Sequence, residues 1–126
     1  MLKVLIVEDD ADSAELASRV LTARGFEVLL ASDAETALQL AAGHSLDAVV
    51  MDLGLPDADG QTLVGWIRRM PALAHIPIIA CTAWPEETAR RMVEVYGCDG
   101  YIPKPIVVAR FGEQVAAFIQ ARQSPA

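Results

Sequence analysis

The stretch "LIVEDD", residues 5–10, runs three aliphatic side chains straight into three acids. Its apolar half extends back through "LKVLIV" (2–7), which is too short for a helix of ordinary length and is almost continuously apolar, as a strand covered on both faces is. Carboxylates crowded at the end of such a strand repel one another and resist leaving water, so something must reward their being there.

Four more short runs follow the first: "FEVLLA" (26–31), "LDAVVM" (46–51), "IPIIAC" (76–81) and "GYI" (100–102). The first, third and fourth of the five are the most apolar and belong in the middle of a sheet. Helical patterns separate them. In "ADSAELASRVLTARG", Leu16, Val20 and Leu21 share a stripe, acids occupy the first turn, and Gly25 supplies a stop. "SDAETALQLAAG" opens with Ser32 and Glu35 in capping-box spacing and closes at Gly43. "DGQTLVGWIRRM" ends before Pro71, "PEETARRMVEVYG" offers Pro85 as a first helical residue with Gly97 at its end, and a last helix follows Pro105. Alternation with connections this short predicts an α/β, doubly wound (βα)5 fold with a parallel sheet and right-handed crossovers. The order 2-1-3-4-5 suits the number of elements and puts strand 5 at an edge, where Pro103 is tolerated. One domain over 1–122 and a short tail or linker start at 123–126 account for the chain.

The 126 residues are 53% hydrophobic and 21% charged, enough to bury one core without staples. Ten Lys+Arg against 17 Asp+Glu give a net charge of −7, which argues against a basic stripe and direct nucleic-acid binding. The start "MLKVLIVEDD" lacks the parts of a signal peptide, and no apolar run approaches a membrane span, so the chain reads as cytoplasmic. Cys81 and Cys98 show neither disulfide-framework density nor metal-ligand spacing and read as reduced thiols. His44 and His75 fall in loops away from the acids. Arg68, Arg69, Arg90 and Arg91 read as solvated helix faces, and Trp66 with Met70 as packing on the third helix.

In a sheet of this order, ligands bind outside the carboxyl ends of the strands, at the switch point between strands 1 and 3. Strand 1 ends in Glu8, Asp9 and Asp10, strand 3 in Asp52, strand 4 in Thr82, and strand 5 runs into Lys104. Converging carboxylates of this kind suit Mg²⁺, which takes one or two carboxylates and favours phosphate oxygens. Ca²⁺ is the weaker option, because no EF-hand loop appears. Asp52 stands alone and is the candidate nucleophile toward phosphorus, while Asp9 and Asp10 form the pair for the metal. Lys104 is placed to offset phosphoryl charge and the Thr82 hydroxyl to hydrogen-bond a phosphoryl oxygen.

With "LIVEDD", "MDLGLPDADG", "ACTA" and "GCDGYIPKP" in this order, the sequence resembles the receiver domain of two-component response regulators, a flavodoxin-like or CheY-like fold, over nearly its whole length. The resemblance implies that Asp52 is a phosphoacceptor supplied by a histidine kinase or histidine phosphotransfer protein. It implies that Asp10, Asp52 and the Gly54 carbonyl are direct Mg²⁺ ligands, with Asp9 acting through water. Thr82 and Tyr101 would be the switch pair, Ala83 would leave room for the phosphoryl group, and Lys104–Pro105 would be a cis peptide. A downstream protein would read the face made by the fourth helix, fifth strand and fifth helix, with a monomer as the default and a dimer open on activation.

Two positions depart from the common pattern. The second residues after the phosphoacceptor and after the switch hydroxyl are Gly54 and Trp84, neither of which orients a hydrolytic water, so slow self-dephosphorylation with Trp84 shielding the site is expected. Two other readings compete. A degenerate receiver would bind partners without phosphoryl chemistry, but the set Asp9, Asp10, Asp52, Thr82 and Lys104 is complete. A haloacid-dehalogenase-like phosphatase would carry a second Asp where Gly54 stands.

Overall fold

The structure, a computed structural model, describes residues 1–53 and 59–123. Five strands alternate with five helices: β1 (Lys3–Val7), α1 (Ala11–Ala23), β2 (Glu27–Ala31), α2 (Ala34–Gly43), β3 (Ala48–Met51), α3 (Gly60–Arg68), β4 (Ile78–Thr82), α4 (Glu86–Tyr96), β5 (Gly100–Pro103) and α5 (Val108–Gln123). The strands form one sheet in the order β2-β1-β3-β4-β5, and every pairing is parallel. The three most apolar runs are the three inner strands, as their composition required.

Strand alternation divides the core into two layers. Leu5, Val7, Val49, Met51, Ile78 and Ala80 face α2, α3 and α4, meeting Ala37, Leu63 and Ile67. Val4, Ile6, Ala48, Val50, Ile79 and Ile102 face the other way, onto Leu21 of α1 and Phe111, Val115 and Ile119 of α5. Each of the large side chains that are fully buried contributes roughly 1.5–3 kcal/mol relative to exposure. The ladder also levels the strand ends. Val7 lies beside Ala31 and Met51, Met51 beside Ala80, and Thr82 beside Pro103, so the residues that follow each strand emerge along one edge.

Local details differ from the sequence reading in five places. At α2 the cap is Asp33, whose carboxylate accepts from the Thr36 N–H at 2.7 Å, so Ser32 and Glu35 do not form the expected box. Pro85 is the residue before α4 rather than its first. Leu16 is 42% exposed and leaves the apolar face of α1 to Ala17 and Leu21. Arg68 is no solvated surface cation: its guanidinium donates to the carbonyls of Ala74 (3.3 Å), Ile76 (2.6 Å) and Gly97 (3.2 Å) and to Asp99 Oδ2 (2.7 Å). Trp66 is exposed, whereas Met70 packs against the α2–α4 side of the core.

The reassigned cap is testable by urea denaturation. Asp33→Ala should cost about 1 kcal/mol, the usual loss for an Asp cap, while Ser32→Ala should stay within about 0.5 kcal/mol of the parent. The reverse order would return the cap to Ser32.

Candidate functional site

Main-chain bonds set the acidic edge in place. The Glu8 N–H donates to the Ala31 carbonyl (2.9 Å), the Asp52 N–H to that of Val7 (2.9 Å) and the Lys104 N–H to that of Thr82 (2.8 Å), so each residue just past its strand is still held by the ladder. Glu8, Asp9 and Asp52 each offer a carboxylate oxygen, and these oxygens all lie within 4.8 Å of one another. Glu8 is 93% buried by its 7% exposure, Asp52 is half-buried and Asp9 is exposed, so the trio spans from the protein interior to water.

Asp10 does not join them. Its carboxylate caps α1, accepting from the Ser13 hydroxyl at 2.6 Å and the Ser13 N–H at 3.0 Å, and those bonds hold it below its usual pKa. The expected pairing of Asp9 and Asp10 is therefore not assembled beside Asp52, where the carboxylates of Glu8 and Asp9 gather instead, one residue earlier. The physical reason is geometric: the chain turns into helix at Ala11, and a residue in the cap position aims its side chain back at the helix's free N–H groups. Position could have revealed this, since Asp10 stands three residues before Ser13 at a helix start. Gly54, the expected carbonyl ligand, lies outside the described residues.

Lys104 spans the carboxylates. Its ammonium donates to Glu8 Oε1 and lies 3.5 Å from Asp52 Oδ2. Burial works against the Lys104 charge, but the Glu8 bond and the two carboxylate charges outweigh it and keep the pKa above the usual value. Glu8 is pushed upward, chiefly by burial and then by the Asp52 carboxylate, against the pull of Lys104. Its second oxygen, Oε2, is buried without a protein partner. A buried acceptor of this kind is costly unless something meets it, and a hard cation held by Glu8, Asp9 and Asp52 fits the chemistry of the donors.

Thr82 is buried at the end of β4, and its Oγ1 accepts from the Trp84 N–H at 3.0 Å, leaving its own proton to donate. Ala83 is exposed at the lip. Tyr101, half-buried on β5, packs on the α2–α4 side of the core. Its hydroxyl, with the Glu86 carboxylate, keeps the Arg90 guanidinium of α4 above its ordinary pKa. The Lys104–Pro105 peptide is cis. A cavity of about 270 Å³ opens beside Asp52 and Lys104, walled by Leu16, Ala17, Ile106 and Phe111 with Cys81 behind; burial raises the Cys81 thiol to about 11, so it is inert.

A calorimetric Mg²⁺ titration separates the two carboxylate sets. Asp10→Ala should keep the affinity and lower the thermal midpoint, whereas Asp9→Asn should weaken binding about tenfold or more. Equal losses in both variants would put Asp10 back among the ligands.

Comparison with known proteins agrees with this arrangement. The family model described as "Response regulator receiver domain" matches residues 4–116. The polar-differentiation response regulator DivK of Brucella anthropi is 34% identical over 116 residues, covering 92% of this chain and 94% of that protein. Among solved structures, the chemotaxis response regulator CheY4 of Vibrio cholerae superposes with a TM-score of 0.87 at 24% identity, covering 94% of this chain and 98% of that one. The receiver domain of a sensor histidine kinase from Pseudomonas aeruginosa, which holds a magnesium ion in its active site cleft, gives 0.86 at 28% identity with 94% and 98% covered. Among the described residues no helix is long and apolar enough to cross a membrane. With its 2-1-3-4-5 sheet, the acids gathered at the ends of β1 and β3, and a family match running from the first strand into the last helix, the chain belongs to the response regulator receiver domains of two-component signalling.

Proposed function

We propose that the domain is a phosphorylation-dependent switch in which Asp52 accepts a phosphoryl group from a phosphohistidine of a histidine kinase or phosphotransfer protein. The observation that carries this is the meeting of Glu8, Asp9 and Asp52 within 4.8 Å, with Lys104 reaching both Glu8 and Asp52. A carboxylate oxygen of Asp52 attacks phosphorus, the N–P bond to the donor imidazole breaks, and the imidazole leaves with the bond's electrons and takes up a proton. Bound Mg²⁺ would supply charge neutralisation at the phosphoryl oxygens, held by Glu8, Asp9 and Asp52. Lys104, already charged and half-buried, transfers part of its pairing from Glu8 to the phosphoryl group. The Thr82 hydroxyl, whose proton is free to donate, turns to another phosphoryl oxygen, and Ala83 leaves the approach open.

The rim beside the site is apolar and exposed, with Leu16 on α1, Val107 just ahead of α5 and Val108 at its start. This lip suits the helix that would carry the donor histidine. On the other side, α4, β5 and α5 form the surface that a downstream protein would read. Moving an active state from about 1% to about 99% of the population takes roughly 5.5 kcal/mol of differential interaction, within reach of a few charge-assisted bonds to the phosphoryl group.

Incubation with Mg²⁺ and acetyl phosphate, followed by intact mass measurement, tests the chemistry. A phosphoryl adduct is expected for the parent and is expected to vanish in Asp52→Asn or with a chelator. An adduct that persists in Asp52→Asn would move the acceptor elsewhere, and none in the parent would favour a domain that binds partners without phosphoryl transfer.

Trp84, 38% exposed two residues after Thr82, bears on how long the phosphoryl group lasts. An indole has no group that orients a water for attack, so decay should be slow, and Trp84→Glu should shorten the lifetime about tenfold by supplying such a group. An unchanged lifetime in that variant would reduce Trp84 to packing on α4.

A further inference from the structure

The acids stand at the end of an apolar floor. Side chains two apart on a strand share a face, so Glu8 follows Ile6 and Asp52 follows Val50 on the same side of the sheet. Ile6, Val50 and Cys81 belong to the layer beneath α1 and α5. The charged edge therefore runs without a break into the cleft of about 270 Å³, whose lining includes Glu8 and Asp52 at one end and Ile6, Val50 and Cys81 along its base.

The space comes from short side chains. Ala17 on α1 and Cys81 on β4 reach only a little way into it, and Leu16 leaves 42% of its surface to solvent. On the other side stand Ile106 and the fully buried Phe111. An apolar cavity of about 150 Å³ is enough to hold a benzene ring, so this cleft admits a ring with a polar group attached.

Two unmet demands coincide here. Glu8, Asp9 and Asp52 gather around one ammonium, that of Lys104, which leaves negative charge in excess. Glu8 is only 7% exposed, and its Oε2 is buried with no hydrogen-bond partner among the described residues. A hydrated Mg²⁺ answers the acids, but its waters find no polar partners on Ile6, Val50 or Phe111 and leave the cleft unfilled. A neutral apolar molecule fills the cleft and leaves Glu8 unmet. A flat apolar body with a cationic N–H group at one end answers both demands.

We infer that the cleft is a binding site for a small organic cation of the aryl amidine or aryl guanidine kind. Its charged end sits on Glu8 and Asp52, and its ring lies between Ala17 and Phe111 over the sheet. Such a cation and Mg²⁺ need the same carboxylates, so each excludes the other. A bound cation thereby keeps Asp52 from phosphoryl transfer. That inhibitory consequence rests on the phosphoryl reading of Asp52, whereas the binding does not.

Benzamidine, a ring carrying an amidinium, is the probe, and calorimetry of the full chain without Mg²⁺ reads its binding. A dissociation constant of about 1 mM or lower is expected, which a ligand of about nine heavy atoms reaches at ordinary efficiency. Methylguanidinium, a cation without the ring, and benzyl alcohol, a ring without the charge, should each bind about tenfold more weakly or worse. Saturating Mg²⁺ should weaken benzamidine about tenfold, and benzamidine should slow adduct formation from acetyl phosphate. Ala17→Leu fills the cleft from α1 and should weaken benzamidine about tenfold while leaving the Mg²⁺ affinity within about twofold. Cys81→Met fills it from the sheet and serves if the first variant is unfolded.

Benzamidine binding weaker than about 1 mM would overturn the inference. Equal affinity for methylguanidinium would do the same by leaving only the acids, and equal affinity for benzyl alcohol by leaving only the cavity. Unchanged affinity in both filled variants would put the probe elsewhere, and an affinity or an adduct rate indifferent to the competitor would end the mutual exclusion. Failure of Mg²⁺ to bind the parent, with the three probes and the filled variants behaving as expected, would count against the metal and phosphoryl reading and leave the cleft standing.

Discussion

Three carboxylates gathered within 4.8 Å of one another, two of them paired to one lysine, set the terms for the rest of the domain. Glu8 and Asp52 leave neighbouring strands side by side, and their charges oppose one another in a partly dry setting. Lys104 offsets part of that repulsion, yet one Glu8 oxygen is still buried without a protein partner. The edge is therefore held short of its best electrostatic arrangement, which the cation and phosphoryl group proposed for it would complete. Everything that places these four side chains follows from the parallel ladder: a shift of one residue in β1 would send Glu8 to the opposite face of the sheet.

That constraint separates the two ends of the sheet. The carboxyl edge carries unmet charge, a hydroxyl with a free proton and a helix with no cap, all of them groups that gain from change. The amino edge carries the Arg68, Asp99 and Arg122 network, in which the charged groups are paired and carbonyls at the end of α4 and ahead of β4 are satisfied. Direction is built in by which polar groups are satisfied and which are not.

Much of this was open to reading in the chain itself. The strands were visible because four apolar runs of six residues and a fifth of three, set between helical patterns, read as strands, and the apolarity of the first, third and fourth placed them at the centre. The positions of Asp52, Thr82 and Lys104 followed from the strand ends. Less legible was the choice among three consecutive acids. Glu8, Asp9 and Asp10 have similar chemistry, and their roles diverge only because the backbone bends into α1 at Ala11 and sends the Asp10 side chain to Ser13. Arg68 was misread for a related reason: its acceptors at Ala74, Ile76, Gly97 and Asp99 include main-chain carbonyls, which leave no mark in a sequence, and two of the four lie about thirty residues away.

By itself the sequence determined the alternation of elements, which strands lie inside the sheet and the type of chemistry at its edge, because hydrophobic period and the run of acids, hydroxyl and lysine are properties of local composition. Only the tertiary structure decided which carboxylates face one another, that Lys104 spans two of them, and that Arg68 reaches the end of α4 and Asp99. Those outcomes depend on ladder register and on side chains meeting main-chain groups distant along the chain, and their energies exist only once the strands are side by side.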